Sequence, residues 1–183
     1  MFFYSFFEIF FNHLKSDGSL TFLFDKQRSN QIKFSGIRIL KKCLNGITIE
    51  KAAIIEEITI QKIEWRLEFD LYLKSAAGDF WQSILRVGKG ENNAQHGDRC
   101  PLISISPNSS KISFFSSVGE QMSKQIHSVE VPLRKWISLK ITQERVGNDF
   151  YFHTYIDEKL VDDILNPEPR EFENLTVWAS GLW

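Results

Sequence analysis

Three residues of WRLEFDLYL, at 65–73, are of types that do chemistry: Glu68, Asp70 and Tyr72. Alternate positions of a strand share a face, so the two carboxylates would point one way and Trp65, Leu67, Phe69, Leu71 and Leu73 the other. Two carboxyl groups flanking a glycosidic bond are the working parts of most glycoside hydrolases, which makes hydrolysis the first chemistry to weigh. Geometry opposes it. Residues two apart on a strand are about 6.6 Å apart by rise alone, while a retaining mechanism wants its carboxyl groups about 5 to 5.5 Å apart across the bond. An inverting spacing survives that number, but neighbours on one strand face cannot approach a glycosidic bond from opposite sides. The plain alternative is the wet face of a sandwich strand, each acid paired with a nearby Arg or Lys.

Few other residues offer a reaction. There is no Gly-x-Ser-x-Gly elbow, Gly-x-Gly-x-x-Gly or P-loop pattern, and Cys43 and Cys100 lack any Cys-His signature or CxxC pairing. Whether the two cysteines form a disulfide stays open. His13, His96, His127 and His153 show no metal-ligand spacing and read as surface or loop residues. For binding, Trp81 and Tyr72 are rings able to lie against the apolar face of a sugar, and Arg99 is suited to clamp a carboxylate or sulfate. Core packing for Trp81 and Trp178, and an ion pair for Arg99, are the ordinary alternatives. Two Asn-x-Ser/Thr sequons, at Asn108 and Asn174, matter only in a secreted chain.

Composition narrows the class. The 183 residues are 43% hydrophobic and 14% aromatic, with 16 Phe and 5 Trp. That suits one core, burying roughly 70% of the surface of the unfolded chain, and favours β-structure. Lys and Arg number 22 against 23 Asp and Glu, a net charge of -1, so the basic excess that neutralises a phosphate backbone is missing and nucleic acid is not an expected partner. The opening MFFYSFFEIFFNHL has no basic n-region, carries Glu8 and shows no small-residue cleavage site. Asn12 and His13 interrupt it before the roughly 20 apolar residues that span a bilayer. No transmembrane segment and no clear signal peptide are expected; a degenerate signal or a chain lying within a longer protein fits better.

The elements that must position these residues are short strands. Residues 1–31, an aromatic run followed by KSDGS and DKQRSNQ, hold no sustained period and read as an irregular or helical appendage. From 32 to 183 the pattern is of one β-domain. QIKFSGIRIL is one strand, and GITIEKAAIIEEITI, despite its helix formers, reads as two because its flanks are β-branched. WRLEFDLYL, KWISLKIT and DFYFHTYID alternate with period two, and FWQSILRVG, CPLISISP, KISFFSS and EFENLTVWAS add further strands. Gly147-Asn148 reads as a hairpin turn. About eight to twelve such strands and almost no helix describe an antiparallel sandwich or jelly roll, with a closed barrel as the rival.

Taken in order, EFDLYL, FWQSIL, HGDRCPLISISP, VPLRKWISLKITQE, YIDEKLV and FENLTVWAS resemble the laminin-G-like branch of the concanavalin A-like lectin and glucanase superfamily, over roughly residues 45–183. No single motif is specific; their order carries the likeness. It implies an all-β, two-sheet antiparallel jelly roll with one concave sheet. Glu158 of YIDEKLV stands where the family has a turn glycine, which leaves that turn's type open. Hydrolytic members of the superfamily carry Glu-x-Asp-x-Glu on a concave-face strand, and Glu68-Phe69-Asp70-Leu71-Tyr72 begins that pattern but ends on a tyrosine. With a pKa of about 10, a phenol is a poor acid/base near neutral pH. The laminin-G-like branch often holds calcium on a rim, and the one position carried over is Asp98 of HGDR; a turn cap or a pair with Arg99 is the alternative.

The expectation is a non-catalytic module that binds carbohydrate or extracellular protein through a concave sheet or rim loops, using Glu68, Asp70, Tyr72, Trp81 and Arg99, with Ca2+ at Asp98. An extracellular or secreted setting goes with it. The rivals are a β-glucanase-type glycoside hydrolase with an incomplete motif and a structural domain of a larger multidomain chain or assembly.

Overall fold

The computed structural model describes residues 20–21, 33–39, 53–73, 76–90 and 94–179. These form eleven strands: β1 (Leu20–Thr21), β2 (Lys33–Ile39), β3 (Ala53–Tyr72), β4 (Gln82–Gly88), β5 (Leu102–Ile105), β6 (Lys111–Val118), β7 (Gln121–Glu130), β8 (Trp136–Val146), β9 (Asp149–Ile156), β10 (Lys159–Asn166) and β11 (Phe172–Ala179). All pairings are antiparallel and run β10-β9-β8-β3-β11-β4-β5-β6-β7, with β2 beside β3 and β1 beside β2. The fold is an all-β jelly-roll sandwich, as the alternation and the resemblance both imply. Among the described residues no helix is long and apolar enough to cross a membrane.

β3 belongs to both layers. Its first part, from Ala53 to Gln61, pairs with β11; its second, from Trp65 to Tyr72, pairs with β8. One layer is therefore β10, β9, β8 and the second half of β3. The other is the first half of β3 with β11, β4, β5, β6 and β7. The inward residues of both, among them Trp65, Leu67, Phe69, Ile103, Ile112, Phe114, Leu139, Ile141, Phe152 and Val177, share one core. The hydrophobic effect favours this closure, because either layer alone would leave one apolar face in water.

At its far ends the sheet nearly meets itself. His127 Nδ1 of β7 lies 2.8 Å from Asp162 Oδ2 of β10, and the Gly119 amide donates to Asn166 Oδ1 at 3.1 Å. Asn166 Nδ2 donates in turn to Gln143 Oε1 at 2.7 Å, and Gln143 Nε2 donates to the Ile63 carbonyl.

Several local expectations change. The two strands expected over GITIEKAAIIEEITI are, from Ala53 onward, one strand continuous with WRLEFDLY; residues 46–52 lie outside those described. The strand β7 was not expected, because only Ile126 of its ten residues is buried and its sequence does not alternate. Of the appendage over 1–31, Leu20 and Thr21 pair with Phe34 and Lys33, and the rest lies outside the described residues. Gly147, at φ 65°, makes the β8–β9 turn, with Val146 opposite Asp149. A positive φ at the first central residue alone is the type II′ pattern. The β9–β10 turn has both Asp157 (φ 48°) and Glu158 (φ 64°) in the left-handed region, the type I′ pattern. Glu158 thus takes the glycine's conformation without being glycine.

Candidate functional site

The outward face of the layer holding β4 to β7 is built in rows. Cross-strand partners share a face, so Ser83, Ser104, Ser113 and Ser128 form one row and Trp178, Arg86, Leu102 and Phe115 the next. None of these belongs to the core, yet most are buried. The covering comes from two loops.

At one end, the segment after β3 is bonded to the β5–β6 turn: Ala77 N–H donates to the Ser109 carbonyl and Asn108 N–H to the Gly78 carbonyl, each at 2.9 Å. It carries Phe80, 81% exposed, and Trp81, 48% exposed. The Trp81 ring meets Phe115 edge-on, centroids 5.9 Å apart. The serines bond one another, Ser113 Oγ to Ser128 Oγ at 3.0 Å and to Ser106 Oγ at 3.3 Å. Ser83 Oγ is buried and has no partner among the described residues.

At the other end, residues 94–100 fold over the sheet. The Gly97 amide donates to Ser117 Oγ, and a Cβ on Gly88 would stand 2.1 Å from the Asp98 carbonyl oxygen, so only glycine admits this close approach. Arg99 reaches β7 and donates to Ser123 Oγ at 3.1 Å. Ser123 is two residues from Gln125, the cross-strand partner of Phe115. Trp81 and Arg99 therefore stand at opposite ends of one face. Burial lowers the pKa of the Arg99 guanidinium while the Asp98 carboxylate opposes that shift; an arginine stays charged near neutrality. Between the two ends Arg86 is buried, its guanidinium 4.1 Å from the Trp178 ring centroid and donating to the Gly90 carbonyl.

Asp98 is fully buried, and its Oδ2 accepts from the Ala94 and Gln95 amides at 2.8 and 2.9 Å, the cap that holds the loop. For the calcium the resemblance implies, only Oδ1 is left over. Calcium takes 6–8 oxygens, and among the described residues no group of three or more acidic, His or Cys side chains could hold a metal ion.

Glu68 and Asp70 lie on the outward face of the other layer, opposite Lys140 and Ser138 of β8. The Arg66 guanidinium is bonded to the Glu68 carboxylate. Tyr72 continues the strand opposite Trp136, and its side chain is not among those described. The residues expected to form one site are thus split: Trp81 and Arg99 on one face, Glu68 and Asp70 on the other. Cys100 is buried and free, its thiol pKa pushed up chiefly by burial, with Asp98 adding and Lys89 opposing; Cys43 lies outside the described residues. The cleft between the layers is lined by Trp65, Cys100, Ser117, Gln143, Asn166 and Arg170, and its cavity volume is about 10 Å³. That is far below the roughly 300–1,000 Å³ of ligand pockets.

No protein-family model and no curated protein matches the chain. Among solved structures it is similar to a carbohydrate-binding module, CBM66, from Bacillus subtilis, at 15% identity over 80% of this chain and 90% of that one, with a TM-score of 0.31. It is also similar to a prokaryotic β-1,3-1,4-glucanase (lichenase) derived from a mouse hindgut metagenome, at 12% identity over 97% and 87%, with a TM-score of 0.36. Likenesses this slight carry no functional argument.

Proposed function

We propose that the chain is a non-catalytic carbohydrate-binding module whose ligand lies on the looped face of the β4–β7 sheet. The observation that carries this is Trp81: a half-exposed indole braced edge-on by Phe115, with Arg99 on the same face. A ring offers its face to the apolar side of a sugar, and hydroxyl, amide and guanidinium groups fix the orientation. Arg99 suits a ligand bearing carboxylate or sulfate. Against hydrolysis, the outward positions of β4, β5 and β6 named above carry no carboxylate, while Glu68 is engaged by Arg66 on the opposite side of the molecule.

The test is affinity electrophoresis of the purified chain in gels carrying β-glucan, xylan, mannan or a sulfated polysaccharide. Wild type is retarded by at least one of these, and Trp81→Ala weakens that binding about tenfold or more, equivalent to ~1.4 kcal/mol. Retention unchanged in Trp81→Ala, or no retention on any gel, refutes the reading. Release of reducing sugar that vanishes in Glu68→Gln would replace it with a hydrolase.

A further inference from the structure

A line of contacts runs across the looped face from Trp81 to Arg99. The Trp81 ring meets Phe115, whose cross-strand partner is Gln125 on β7. Cross-strand partners share a face, so Gln125, which is exposed, stands beside the Phe115 ring. Two residues back on the same face of β7 is Ser123, whose Oγ accepts from Arg99 Nη1 at 3.1 Å. Neighbouring strands are about 4.8 Å apart and alternate residues about 6.6 Å apart, which puts Ser123 roughly 8 Å from Phe115. A single sugar ring cannot cover both the indole and the guanidinium.

Charge along this line is sparse. Arg86 is buried against Trp178, and Lys111 stands opposite Glu130. Alternation turns Lys124 to the other side of β7 from Ser123 and Gln125. Asp98, the neighbour of Arg99 in sequence, is fully buried and engages the Ala94 and Gln95 amides. Arg99, oriented by Ser123, is the cation of the line.

We infer that the ligand of this face is a sparsely acidic polysaccharide: one sugar stacks on Trp81, a uronate a residue or two along the chain meets Arg99, and Gln125 bonds the sugar between. The inference rests on the proposed carbohydrate function and names its ligand class. A guanidinium presents its donors as a planar fork that matches a carboxylate bidentately. A densely sulfated polymer carries several charges per repeat and gains most from a cluster of cations, which this line lacks. One carboxylate per repeat needs one guanidinium. Gln125 supplies both donors and an acceptor to ring hydroxyls.

The experiment compares the affinity of the full chain for glucuronoxylan, alginate and polygalacturonate, for the carboxyl-reduced form of each, and for dextran sulfate, by affinity electrophoresis. At least one uronate polymer is expected to bind about tenfold or more tighter than its reduced form, and tighter than dextran sulfate. In Arg99→Gln, checked for folding by circular dichroism, that preference disappears. Gln125→Ala weakens binding of the uronate polymer about fivefold. Equal affinity of wild type for both forms, with retention that still depends on Trp81, overturns the acidic ligand and leaves the carbohydrate function standing. So does a preference that survives Arg99→Gln, tighter binding to dextran sulfate, or a Gln125→Ala protein that binds as wild type does. If Trp81→Ala binds every polymer like wild type, or wild type binds none, the proposed function and this inference fall together.

Discussion

The outer face of the β4–β7 sheet is roofed by two loops, whereas among the described residues no such loop is bonded over the outer face of β3, β8, β9 and β10. On the roofed side outward residues are small or buried: serines bond one another, and Arg86 is packed on Trp178. On the other side many are long, charged or aromatic, and they interact along β3 and β9 and, between Lys140 and Tyr155, across strands. The difference teaches that outward does not mean exposed. A strand's alternation says which residues leave the core, while loops decide which of them meet solvent.

Substitutions on the two faces should accordingly differ in size and sign. Gly88→Ala drives a Cβ into the Asp98 carbonyl and forces the 94–100 loop away; a loss of about 3 kcal/mol in urea unfolding is expected, the upper end for overpacking. Loss below about 0.5 kcal/mol would mean the loop is not seated on the sheet. Ser113→Ala removes a buried hydroxyl bonded on both sides and should cost about 1 kcal/mol. Thr142→Val, on the other face, removes a buried hydroxyl with no partner among the described residues and should instead raise stability by about 1 kcal/mol. If those two substitutions shift the melting temperature in the same direction, the contrast fails. Glu158→Gly relieves a left-handed residue in the β9–β10 turn and should stabilise by about 1 kcal/mol, read from the denaturation midpoint. Glu68→Gln breaks a partly exposed ion pair and should change stability by less than about 0.5 kcal/mol.

Much of this architecture is visible in the sequence. The odd positions of WRLEFDLYL enter the core as alternation requires, and Gly147 turns the chain where Gly-Asn stands. β7 escapes notice because an end strand with Ile126 as its one fully buried residue has little reason to alternate. The long β3 escapes because one strand serving two layers meets different neighbours along its length. The carboxylates Glu68 and Asp70 drew attention by type and spacing, but neither reveals which face receives the loops. Trp81 and Arg99 were legible as candidates, yet their sharing of one face depends on Gly88 and on bonds such as Ala77 to Ser109 that join distant segments.

The near-meeting of β7 and β10 bears on how the molecule behaves in a crowd. A strand at the end of a sheet offers unpaired amides and carbonyls to any passing chain, the usual route to edge-to-edge aggregation. Here the two end strands of the sheet path face each other across a narrow gap that side chains bridge, through His127 with Asp162 and through Asn166. Each edge screens the other. Solubility at high concentration then depends on a histidine, an aspartate and an asparagine that lie at the closing seam of the sheet.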